Sequence, residues 1–259
     1  MKAIGYKENL DIENENSLQD IELETPKAQG RDILVEVKAI SVNPVDYKVR
    51  SGMKAEGDKW KVIGWDATGI VKEVGEDVSL FKVGDKVWYA GDFTRQGSNA
   101  EYQLVDERIV GNKPSNLSYA EAAALPLTTL TAWELLFDRL QVSKDDDSKS
   151  ILIIGAAGGV GSIMVQLAKQ LTKLNIIGTA SREETTSWLQ DLGVHNVLNH
   201  KHKLSEELEK HNLPAPDYVV SLNGTEHHID EIVKLIKPQG KFGFIDDPKS
   251  LDVMPFKSK

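Results

Sequence analysis

The chain has 259 residues, enough for one large domain or two modest ones. Its net charge of −9, from 31 Lys and Arg against 40 Asp and Glu with no basic stripe, argues against a nucleic acid or an anionic membrane as partner. It has no cysteine, which excludes disulfides, thiolate zinc sites, iron–sulfur clusters and cysteine nucleophiles together.

The N-terminal run MKAIGYKENLDIENEN is broken by polar residues too early for a secretory leader. No apolar run approaches the ~20 residues of a membrane span, so a cytoplasmic location is expected. Ile33–Ile40 alternates, with Val35, Val37 and Ala39 on one side and Glu36 and Lys38 on the other, the period of a half-buried strand. Thr68–Val74, a stretch within Phe81–Ala90 that turns at Gly84-Asp85, and Glu101–Val105 repeat the strand signature. The first third therefore reads as a β domain poor in helix.

The character changes after Pro114. Ser118 with Glu121 three residues on is a capping box, Pro126 interrupts the helix it opens, and Thr131–Leu140 is a further helical stretch. The acidic connector Asp145-Asp146-Asp147 reads as a solvated turn. From Ser150 onward strands and helices alternate. Strands are expected at Ile151–Ile154, Ile176–Ala180, Asn196–Asn199, Tyr218–Leu222 and Lys241–Ile245. Helices fall between them, from Val160 to Leu171 and at Glu183–Leu192, Ser205–His211 and His227–Ile236. This is the order of a doubly wound parallel α/β sheet, and the sequence divides into residues 1–117 and 118–259.

Gly155, Gly158, Gly159 and Gly161, with Ala157 and Val160 among them, lie between a buried strand and an amphipathic helix. Glycines there let backbone N–H groups approach a pyrophosphate, and the helix start adds partial positive charge. In this βαβ context the loop is a dinucleotide site. An acid ending the second strand would accept from a ribose 2′-hydroxyl and select NAD. Here Ser181 and Arg182 follow Ala180, and a serine with an arginine fork suits a 2′-phosphate, so NADPH is the expected cofactor. Glu183 and Glu184 follow at the start of the next helix, where acids complement its dipole.

Five segments, in order, resemble the zinc-free quinone-oxidoreductase branch of the medium-chain dehydrogenase/reductase superfamily. They are Ser41-Val-Asn-Pro-Val-Asp46, Phe81–Val87, Gly97–Tyr102, Ala123–Trp133 and Ala157–Gly161. The resemblance implies a β-rich GroES-like catalytic domain, a Rossmann domain and a cofactor in the cleft between them. It implies that Asn43, Asp46, Tyr47, Trp65, Asp66, Thr128 and Thr131 face nicotinamide and substrate, and that His200 lies on the adenosine side. Tyr47 is the single best hydrogen-bond or proton donor among them, and Trp65 reads as core or as a flat wall for a planar acceptor.

Zinc-dependent members hold the metal with Cys and His around an open position. Asn43-Pro44 stands where their first Cys falls, and Gly64-Trp65-Asp66 stands for their Gly-His-Glu. No metal site is expected, from these residues or from His227-His228. The implied activity is hydride transfer from NADPH to a quinone or an α,β-unsaturated carbonyl. The alternatives are a zinc-type alcohol or aldehyde dehydrogenase and an NADPH-binding protein without turnover. Family members continue beyond the point corresponding to Lys259. A truncated C-terminus lacking a sixth Rossmann strand is therefore expected, with a homodimer for the full-length protein.

Overall fold

The computed structural model describes residues 1–145 and 147–259, so Asp146 of the expected acidic turn lies outside the described residues. Two units result, Met1–Leu127 and Thr128–Lys259.

In the first unit an antiparallel sheet has the order β7-β3-β5-β6-β8. These strands are β3 (Asp32–Ser41), β5 (Asp66–Val74), β6 (Lys86–Ala90), β7 (Tyr102–Asp106) and β8 (Gly111–Asn112). Ile33, Val35, Ala67, Val71, Val87 and Val105 form its core. The expected alternation along β3 is only partly kept. Ile33, Leu34 and Val35 are all buried, because the register with β5 shifts between Leu34 and Val35 and again between Val37 and Ala39. A small second sheet, β2-β1-β4, joins β1 (Lys2–Tyr6), β2 (Gln19–Glu22) and β4 (Lys61–Val62).

The first unit also holds a helix that alternation does not reveal, α1 (Pro44–Gly52). Its start follows local rules. Asn43 takes the extended N-cap position, Pro44 stands first in the helix where its missing N–H is no loss, and Asp46 stands third.

The Ser118–Glu121 capping box forms as expected at the head of α2 (Tyr119–Ala123). The Thr68 hydroxyl of β5 donates to the Tyr119 carbonyl at 2.9 Å, so α2 belongs with the β sheet. The first unit thus runs to Leu127 rather than to residue 117. Pro126 opens α3 (Pro126–Trp133), which runs into a wider π-helical turn over Glu134–Arg139 where the Leu140 N–H reaches back to the Leu135 carbonyl.

The second unit is a five-stranded parallel sheet, order β11-β10-β9-β12-β13. Its elements are β9 (Ser150–Ile154), α4 (Gly159–Leu171), β10 (Asn175–Thr179), α5 (Glu183–Leu192), β11 (Asn196–Leu198), α6 (Leu204–Lys210), β12 (Tyr218–Ser221), α7 (Thr225–Leu235) and β13 (Lys241–Phe244). The unbroken apolar run of β9 has a direct cause. Ile151 and Ile153 pack with Met164, Val165 and Leu189 of α4 and α5. Leu152 and Ile154 pack with Leu208, Ile232 and Leu235 of α6 and α7. Both faces of the strand are covered, as a parallel sheet requires. The strand order reverses between β9 and β12, and the carboxyl ends of such strands are where ligands bind in open α/β sheets. No helix is long and apolar enough to cross a membrane among the described residues.

Candidate active site

In the second unit the Gly-rich loop leaves β9 through Gly155, whose φ of +80° suits glycine. Its N–H donates to the Thr179 hydroxyl at 3.1 Å, tying the ends of β9 and β10. Gly158 is the extended N-cap of α4, and it and Gly159 are exposed, leaving the first turn of a 13-residue helix open to an anion. Gly161 sits against the loop itself, since a β-carbon there would lie 2.4 Å from the Ala156 carbonyl oxygen. Ala157 and Val160 pack against the core, so in this loop they offer main chain rather than side chain. A β-carbon on Gly159 would lie 3.4 Å from Cγ2 of Thr128, so α3 brings Thr128 to the loop, with Thr131 half-buried one turn on.

Arg182 is the N-cap of α5, but through its main chain. Its carbonyl accepts the Thr186 N–H and the hydroxyls of Thr185 and Thr186, while the side chain makes no cap bond and stays exposed. Ser181 beside it is half-buried, and Glu183 and Glu184 lie in the first turn of α5 as expected. Thr179 pairs with Leu198, and the Ala180 N–H donates to the Leu198 carbonyl, so the ends of β10 and β11 run side by side. His200 follows β11 there. Partial burial of its ring and the neighbouring Lys201 cation hold its pKa below the ordinary value.

In the first unit Asn43, Asp46 and Asp66 are brought together. The Asp46 carboxylate accepts the Asn43 N–H at 2.6 Å, and the Asp46 N–H is satisfied by the Asn43 carbonyl. The Asn43 amide donates to Asp66 Oδ2 at 2.8 Å, and Asp66 Oδ1 accepts the Leu127 N–H at 2.8 Å. All three side chains are buried, Asp66 completely. Burial pushes the Asp66 carboxyl up to about 6; the Leu127 N–H and the Asn43 amide pull it back, and the Asp46 charge raises it. Burial also raises Asp46, opposed by the N–H groups of Asn43, Asp46 and Gly64. A carboxyl placed as Asp66 is can hold or release a proton near neutral pH and orient an amide.

The far end of α1 is also held. The Asn9 amide reaches the carbonyls of Arg50 and Met53 at 2.6 and 2.9 Å, and the Tyr6 hydroxyl lies 2.6 Å from the Met53 carbonyl. Tyr47, on the same helix, is 60% exposed. The expectation of Trp65 as a wall for a planar acceptor is corrected. Its ring is 2% exposed and packs in a cluster with Tyr6, Val49 and Ile63.

Sequence reasoning missed the Leu127 N–H, Thr179 and Tyr6. The helix-start pattern at Asn43-Pro44 pointed to α1. Nothing in residue spacing pointed to the bonds that cross between elements.

The superfamily includes zinc-dependent members, and the residues here do not fit that metal. Both Asp66 oxygens already accept N–H donors, the Asn43 amide turns its NH₂ toward Asp66, and Trp65 stands in the core. Among the described residues no group of three or more His, Asp or Glu could hold a metal ion. His227 and His228 fall in the first turn of α7.

Residues 29–132 match the family model of the alcohol dehydrogenase GroES-like domain, and residues 159–258 match that of zinc-binding dehydrogenases. A zinc-type alcohol dehydrogenase-like protein of Staphylococcus epidermidis is 42% identical over 249 residues, covering 95% of this chain and 73% of the relative. The chain belongs to the medium-chain dehydrogenase/reductase superfamily. Members of this superfamily are oxidoreductases that bind NAD(P)H, and the β-rich GroES-like unit and the Rossmann unit of this dehydrogenase/reductase are those of its relatives. A Rhizobium etli CFN 42 protein described as a zinc-dependent alcohol dehydrogenase superposes with a TM-score of 0.95 at 56% identity, over 99% of this chain and 75% of its own. The Escherichia coli quinone oxidoreductase complexed with NADPH superposes with a TM-score of 0.77 at 27% identity, over 93% and 72%.

Proposed function

We propose that this dehydrogenase/reductase transfers hydride from NADPH to a quinone or an α,β-unsaturated carbonyl without a catalytic zinc. The observation that carries the proposal is the Gly155–Gly161 cradle at the end of β9, with Ser181 and exposed Arg182 in place of an acid at the end of β10. Gly158 and Gly159 would receive the pyrophosphate on the first turn of α4, and Ser181 and Arg182 the 2′-phosphate. Reduced nicotinamide, when bound, supplies the hydride.

The protein's part is to bind, orient and donate. A conjugated acceptor delocalises the charge that arrives with hydride, so one or two hydrogen-bond donors suffice without a metal. The Asn43–Asp46–Asp66 cluster and exposed Tyr47 are the first unit's groups for that task. Their bonding leaves no set of ligands for zinc, which favours a quinone or enone over the simple alcohols and aldehydes of zinc-type relatives. The likeness to a quinone oxidoreductase complexed with NADPH supports both cofactor and acceptor class. A cytoplasmic homodimer is part of the same proposal.

The test is NADPH oxidation by purified protein with a panel of quinones and enones, before and after a chelator, alongside elemental analysis. Chelator-resistant turnover without stoichiometric zinc is expected. Activity abolished by chelator and restored by zinc would overturn the metal-free route in favour of the alcohol-dehydrogenase alternative. NADPH binding with no acceptor reduced would favour a binding protein without turnover.

A further inference from the structure

Each carboxylate oxygen of Asp66 is committed to a different element. Oδ1 accepts the Leu127 N–H at the start of α3, and Oδ2 accepts the Asn43 amide at the N-cap of α1. The side chain is wholly buried at the first position of β5, next to Ala67, which is also wholly buried. Burying a carboxylate is costly unless its oxygens are satisfied, and a residue that only filled sheet space here could be apolar, as Ala67 is. The cost is met by two bonds that reach outside the sheet, one to each helix start.

We propose that Asp66 is a positioning residue for the hydride-transfer reaction: by holding one N–H of the Asn43 amide it fixes which end of that amide is the NH₂, leaving the second amide hydrogen to donate to the acceptor. This rests on the reading above that the Asn43 face of the first unit receives the acceptor. An amide's two ends differ in hydrogen-bonding sense but hardly in shape, so an amide without a selective partner turns over. An ionised carboxylate only accepts, so it selects one orientation. The groups that face Asp66 are the Asn43 amide, the Asp46 carboxylate of α1 and the Leu127 N–H. Asp46 is engaged by the N–H groups of Asn43 and Gly64 and does not compete for the amide.

The test uses Asp66→Asn, Asn43→Ala and the double variant. Each is compared with the parent for thermal midpoint, NADPH affinity, kcat and KM with 1,4-benzoquinone, and the Asn43 side-chain amide NMR signals, assigned by their loss in Asn43→Ala. In Asp66→Asn the Asn43 signals should shift while NADPH affinity holds. The kcat should fall roughly tenfold to a hundredfold, with the benzoquinone KM little changed. The double variant should be no slower than Asn43→Ala alone, because the two residues act as one unit. Unmoved Asn43 signals, or losses that multiply in the double variant, would overturn the proposal. If the parent reduces no acceptor, the functional reading fails and the Asn43 signals alone decide the positioning role. If Asp66→Asn does not fold, parent-like kcat in a folded Asn43→Ala overturns it, and a matching loss supports it.

Discussion

The Gly155 N–H donates to the Thr179 hydroxyl at 3.1 Å, so the Gly-rich loop is anchored by a side chain from the neighbouring strand. Thr179 is 2% exposed. Thr179→Val keeps the shape and removes the acceptor, leaving a backbone N–H in a partly buried place without this partner. A lost bond of this kind costs about 1–3 kcal/mol. The expected outcome is a thermal midpoint lower by a few degrees and NADPH affinity several-fold weaker, read by differential scanning calorimetry and fluorescence titration. Parent-like values for both would show that the loop holds its shape without the anchor.

Gly161 makes a sharper demand. A β-carbon there would meet the carbonyl oxygen, carbonyl carbon and Cα of Ala156 at 2.4–2.6 Å, all backbone atoms with little room to yield. Gly161→Ala should force α4 away from the loop and destabilise by about 1–3 kcal/mol. Gly84→Ala is the informative comparison, since φ there is +95° but no atom lies within 4 Å of the added carbon. Both variants should lower the midpoint, but only Gly161→Ala should also weaken NADPH binding.

The second unit was legible in sequence because its signals are local. Ile151–Ile154 reads as a strand covered on both faces, and Glu183–Leu192 forms the helix its pattern predicts. The first unit was less so. Short strands such as β4 and β8 have two residues each, too few to show a period, and β3 breaks its alternation at two bulges. The site divides the same way. Glycine spacing marks the cradle because backbone approach needs glycine. The link from Asn43 to Asp66 spans 23 residues and depends on how β5 meets α1, which no local pattern encodes.

Cofactor preference turns on Arg182. Its main chain, not its side chain, begins α5, so Arg182→Ala should leave the helix intact and remove only the exposed guanidinium. The parent should bind NADPH more tightly than NADH. A charge-assisted bond to a phosphate contributes about 1.5–3 kcal/mol, so the variant should lose roughly tenfold or more of that preference. NADH affinity should be unchanged. Equal parent affinities for the two cofactors would remove Arg182 from this role.

The buried Asp66 makes stability depend on pH in a direction opposite to most carboxylates. Burial raises its pKa from 3.8 in the open chain to about 6 in the fold. The folded protein therefore binds this proton more tightly than the unfolded chain does. The resulting stabilisation is fully present below pH 3.8 and is lost as pH rises through about 6. The change is about 3 kcal/mol, or a few degrees or more in midpoint for a chain of this size. Glu207 acts with the opposite sign. The Asn199 N–H and the His202 ring hold it down at about 2, so its contribution is present above the usual carboxylate range and is lost only as pH falls through about 2. That term is common to parent and variant and cancels in their difference. The midpoint of the parent minus that of Asp66→Asn should therefore be more positive at pH 5 than at pH 7.5. Calorimetric scans of both proteins at the two pH values measure it, and a difference that stays constant would mean that Asp66 titrates in the fold as it does in the open chain.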